Sequence, residues 1–158
     1  MSAEEFALRV LVATLCGVLL GYERAHSHKN TGMRTLGLVG LGAGLLPAAL
    51  QHAGASYDST ARVIQGLLAG IGFLGAGVIL HGRGDDRPHG LTTAAAVWVT
   101  SILGVVAGIG QVVPALAVAV LAFAILWLGA RVDRAIEARA GKASRSEGEP
   151  DPRERDRG

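Results

Sequence analysis

Apolar runs separated by short polar segments account for most of the 158-residue chain, at residues 6–22, 33–50, 63–80, 91–110 and 112–129. A helix of about 20 apolar residues crosses a hydrocarbon layer of roughly 30 Å. The pattern therefore predicts an all-α, polytopic membrane protein: a five-helix transmembrane bundle over residues 1–130, followed by a charged cytoplasmic tail over residues 131–158. Residues 130–140 can extend the last helix along the membrane surface. Beyond Gly141 the tail has Ala143 as its one apolar residue and is expected to be disordered.

Small residues recur along these runs at helical spacing. In the first, Arg9, Ala13, Gly17 and Gly21 fall four apart and share a face. Arg9 is placed to snorkel or to pair with Glu5 one turn earlier. Gly40 with Gly44 makes a similar pair in the second run, with Pro47 expected to kink its far end. The fourth carries Thr92, Ala96, Thr100, Gly104 and Gly108 at the same spacing. Such faces let helix backbones approach closely in lipid, where no hydrophobic drive acts between helices. The fifth run has fewer glycines and reads as the outer, lipid-facing helix.

The third run contains Gly66, Gly70, Gly72, Gly75 and Gly77. Three of these satisfy G-x-G-x-x-G, but that fingerprint needs a preceding strand and a downstream acid, and here the glycines lie inside one uncharged apolar segment. A tightly surrounded central helix is expected instead, locally broken near residues 72–77. Broken backbone in lipid must face protein or a water-filled cavity. The tetrapeptide LGAG occurs at residues 41–44 and 74–77, which in so Gly-rich a chain does not establish a repeat.

Half of the residues are hydrophobic and the formal charge is only +2. No exposed basic domain for nucleic acid is evident. The acidic Glu4 and Glu5 differ from the basic start of a secretory signal, so the first run is read as an uncleaved span. Cys16 lies within it and reads as a buried small hydrophobe. Arg24, Lys29, Arg34, Arg83, Arg87 and the basic tail fall on one side of the predicted bundle, which by the positive-inside rule puts the N-terminus outside and the C-terminus in the cytoplasm.

Candidate chemistry gathers at that cytoplasmic side. Glu23, Arg24 and Arg34 sit at the ends of the first two helices, close enough for Glu23 to pair with Arg34. Thr92 and Thr93 open the fourth helix, where either can act as a cap. His26, His28, His81 and His89, with Asp85 and Asp86, match no recognised metal spacing. No nucleophile constellation is present. No enzyme, cofactor or metal site is expected.

Three segments carry a family resemblance: GYERAHSHKNTGMRTLGLVGLGAG at residues 21–44, ARVIQGLLAGIGFLGAGVIL at 61–80, and HGLTTAAAVWVTSILGVVAGIG at 89–110. In their order and spacing they resemble the MgtC/SapB family. The resemblance implies a bacterial inner-membrane protein that serves adaptation to low magnesium. It implies action on other membrane proteins, the proton-translocating ATP synthase among them, rather than carriage of magnesium. The motif positions it carries over are Glu23, Arg24, Gly32, Arg34, Thr35, Arg62, Gly70, Gly72, Gly75, Gly77, Gly90, Leu91, Thr92, Thr93 and Trp98. It is to the membrane domain alone, since a soluble C-terminal domain of longer members is not expected here. Two functions follow: a modulator that docks in the bilayer on another membrane protein or on itself, or a transporter or channel for Mg²⁺ or another small ion through the glycine-rich region.

Overall fold

The computed structural model describes residues 1–26, 32–80 and 90–147. Among them all regular structure is helical: α1 Ala3–His26, α2 Met33–His52, α3 Tyr57–Leu80, α4 Leu91–Gly108 and α5 Val112–Glu147. Met1–Ala124 forms one compact unit and Ile125–Gly158 a second. The segments α2, α3, α4 and Val112–Ile136 of α5 are each long and apolar enough to cross a membrane. His28, Lys29, Arg83, Asp85, Asp86 and the other residues of the two polar loops lie outside the described residues.

Local polar chemistry sets the helix starts. Ser2 Oγ accepts the Glu5 backbone N–H at 3.1 Å, which caps α1. Ser56 Oγ accepts the Ser59 N–H at 3.3 Å and does the same for α3. That cap explains why α3 begins at Tyr57, ahead of the apolar run that starts at Val63. A tight turn through Gly110, at φ 97°, joins α4 to α5.

The core is the three-way packing of α1, α2 and α4, and the predicted small-residue faces form it. A Cβ on Gly17 would overlap the Leu36 carbonyl, one on Gly40 the Ala13 carbonyl, and one on Gly108 the Gly44 carbonyl and the Pro47 ring. Gly44 and Gly104 likewise face each other without room for a side chain. Backbone therefore touches backbone along these seams, which is how small residues stabilise helix pairs in lipid. Leu20, Leu36, Leu103, Thr100 and Cys16 fill the remaining space and are fully buried.

The third helix corrects the sequence expectation. It is continuous from Tyr57 to Leu80 and lies at the periphery, with Thr60 its one buried residue among those described. Space beside Gly66, Gly70, Gly72 and Gly77 is open, and Gly75 meets only the Ala94 Cβ at 3.7 Å. Glycine content alone does not break a helix when every backbone group still finds its partner four residues away. Within the first unit, α5 buries Ala115 and Ala119 and exposes Val113, Leu116, Val118, Val120 and Leu121. It continues past Gly141 to Glu147, because Ala, Arg and Glu in this stretch favour a helix by more than one glycine costs.

Candidate functional site

Buried polar groups of the core cluster at the His26 end, with Thr100 and Ser101 midway along α4, and a partly buried arginine closes the other end. At the His26 end, Gly21 brings α1 against the start of α2, where a Cβ would come 2.5 Å from the Met33 Cα. One turn later Arg24 is 3% exposed, and its Nη2 donates to Thr93 Oγ1 of α4. Glu23, the neighbouring residue, is 4% exposed and supplies the opposite charge.

Thr93 is in place because of how α4 begins. Gly90 precedes the helix at φ 91°, a left-handed conformation that glycine adopts without penalty. A Cβ there would also lie 2.8 Å from the Val78 carbonyl of α3. No side chain caps α4, so the expectation that Thr92 or Thr93 caps it is corrected. Thr93, third in the helix, points into the bundle toward Arg24, while Thr92 is exposed. The buried stripe on α4 accordingly starts at Thr93. Among the described residues, Arg24 Nε at this end and Thr100 Oγ1 two turns further along α4 are buried without a hydrogen-bond partner. A guanidinium held out of water costs several kcal/mol unless paired, so Glu23 and Thr93 are what make Arg24 tolerable at this position.

The opposite end has a second arginine clamp. Arg9 Nη1 donates to Gln51 Oε1 of α2 at 2.7 Å and to the Gly108 carbonyl of α4 at 3.3 Å, while Nη2 pairs with Glu5. The pairing with Glu5 was legible from the four-residue spacing. The links to Gln51 and Gly108 were not, although a free carbonyl at the C-terminus of an apolar helix is a natural target for a cation. Arg9 thus ties α1 to α2 and α4 at one end, and Arg24 ties α1 to α4 at the other.

The remaining motif residues do not join these clusters. Arg34 and Thr35 are exposed on α2, which sets Arg34 apart from the buried Glu23 and Arg24. Gly32 precedes α2. Trp98 is 49% exposed on the outside of α4, and Arg62 is exposed on α3. Gly70, Gly72, Gly75 and Gly77 line no interior path. His26 packs against the Tyr22 ring at 4.5 Å and His52 against Phe6 at 5.6 Å. Among the described residues no group of three or more His, Cys, Asp or Glu side chains could hold a metal.

Comparison with known proteins places the chain in a family. The profile of the MgtC family matches residues 10–135. Protein SrpB of Synechococcus elongatus is 40% identical over 115 residues, covering 66% of this chain and 63% of its own. Protein MgtC of Salmonella typhimurium is 40% identical over 116 residues, 73% of this chain and 48% of its own. YhiD of Escherichia coli, whose name proposes magnesium transport, is 34% identical over 114 residues, 68% of this chain and 52% of its own. The chain thus spans about half to two-thirds of the length of these relatives. No solved structure matches it.

Proposed function

The chain belongs to the MgtC family, and from that premise we propose that it is a non-enzymatic modulator of other membrane proteins in the bacterial inner membrane, serving growth when magnesium is scarce. In this reading α1 is a fifth span, because it packs along α2 and α4 and carries an arginine clamp at each end. The N-terminus lies outside and the helix ends bearing Arg24, Gly32 and Gly90 face the cytoplasm, as the basic loop residues favour.

The observation that carries the reading is how the core is closed. Gly17, Gly40, Gly44, Gly104 and Gly108 bring three helices into backbone contact, leaving no room between them even for a methyl group. Each end holds an arginine fixed by a neighbouring helix and accompanied by one glutamate, Glu5 beside Arg9 and Glu23 beside Arg24. Magnesium sheds its water reluctantly and binds through carboxylates while keeping several waters. A path through this core would have to part the helices and break both arginine clamps, whose single carboxylates are each already matched to an arginine. The same rigidity suits a protein that acts by presenting a fixed surface within the bilayer.

The cellular test is growth in limiting magnesium of a strain lacking the gene, complemented with the native chain or with Arg24→Ala. Rescue by the native chain at an unchanged initial rate of magnesium uptake is the expected result. An uptake rate that rises in proportion to the amount of this protein would support the transporter reading carried by the name of YhiD.

A further inference from the structure

Among the described residues of the first unit, two helices present wide exposed faces, and these differ in composition. Along α5 the exposed positions include Val113, Leu116, Val120 and Leu121, the large aliphatic residues that suit lipid chains. Along α3, Val63, Ile64, Leu67, Ile71 and Val78 are partly covered, while Phe73 and Leu74 are exposed. Its outward face carries Asp58, Arg62, Gln65, Ala69, Gly72 and Ala76, every one exposed. These positions alternate steps of four and three residues, the 3.5-residue repeat by which two helices keep a continuous seam in contact. Within the hydrocarbon the seam is made of Ala and Gly, which bring helices together rather than solvate them in lipid.

Its upper end adds polar chemistry. At 1.5 Å per residue Gln65 lies about 12 Å along α3 from Tyr57, inside the hydrocarbon when a 24-residue helix is centred on a core of roughly 30 Å. Its side-chain amide has no partner among the described residues, and an unmet amide at that depth costs free energy. One turn above lies Arg62 and two turns above Asp58, both exposed and oppositely charged.

We propose that this face of α3 is a homodimer interface, on which a second copy of the chain packs in parallel about a two-fold axis along the membrane normal. The occupant is a second copy because the face is complementary to itself. A carboxamide both donates and accepts, so Gln65 of each copy satisfies the other. Arg62 of each copy reaches Asp58 of the other, one turn away along a parallel helix. Ala69, Gly72 and Ala76 permit close approach, and the repeat gives a left-handed crossing of about 20°. The aliphatic face of α3 stays against its own protomer. The inference stands independently of whether the protein modulates or transports.

The test uses full-length protein in proteoliposomes. In a Cys16→Ser background, single cysteines at Ala69 and at Ile71, on opposite faces of α3, are oxidised. The Ala69→Cys protein is expected to form a disulfide-linked dimer and the Ile71→Cys protein not to. In parallel, photobleaching steps of labelled protein count copies at low density. Ala69→Leu/Gly72→Leu is expected to weaken association about tenfold or more. The seam faces away from the protomer and the space beside Gly72 is open, so helicity and unfolding midpoint should be retained. Native protein that is monomeric at all densities, equal crosslinking at both positions, or an undiminished dimer in the folded double variant would each overturn the proposal. So would crosslinking of the Ala69→Cys protein in native membranes only to a different protein.

Discussion

Single residues decide whether the core of this protein closes. Thr93 is the acceptor that Arg24 reaches across the bundle, so Thr93→Val, which keeps the shape and removes the oxygen, leaves a buried guanidinium donor unmet. A loss of about 1–3 kcal/mol of stability is expected, read as a lower unfolding temperature in detergent, with Thr93→Ser restoring most of it. Thr92→Val, one position away and exposed, should change little. The sequence placed Arg24 and both threonines at the same end, but could not choose between the threonines. That choice depends on the left-handed turn at Gly90, which sets the phase of α4. Glu23 and Arg34 illustrate the converse: proximity along the chain suggested a pair, and the rotation of α2 leaves Arg34 exposed while Glu23 is buried.

At the scale of helices, glycine has two different roles, and substitution separates them. In α2, a Cβ on Gly44 would press against Ala13 and the Gly104 carbonyl, so Gly44→Ala is expected to cost about 1–3 kcal/mol through overpacking. In α3, the space beside Gly70 is open, so Gly70→Ala should be neutral or stabilise the protomer by about 0.5–1 kcal/mol. Unfolding of each variant under conditions that keep the protein monomeric checks both signs. The four-residue spacing of Gly17 with Gly21, Gly40 with Gly44 and Gly104 with Gly108 made the α1, α2 and α4 seams legible in advance. The glycine count of the third run was misleading because it records how many small residues a helix has, not which way they face. Phase supplies that information: Ala69, Gly72 and Ala76 share one side, and Leu67, Ile71 and Val78 occupy the other.

For the whole molecule, family membership and the helical architecture were readable from residues 21–44, 61–80 and 89–110, whereas the arginine clamps required three-dimensional packing. Arg9 joins residues 42 and 99 positions away, separations that no local pattern encodes. Because the clamps and the glycine seams hold the same helices, α1, α2 and α4 are expected to behave as one rigid unit. Amide exchange in lipid nanodiscs should be slowest in that unit and faster in α3 and in the part of α5 beyond Ile125.

Magnesium entry into proteoliposomes that hold a trapped magnesium-sensitive dye and purified, correctly inserted protein, beside empty liposomes, separates a closed core that modulates other proteins from one that conducts an ion. Entry no faster than in empty liposomes is expected, for native protein and for Arg24→Ala alike. Entry that rises with the amount of native protein, saturates with magnesium and changes in the Arg24→Ala variant would contradict the closed, modulating core.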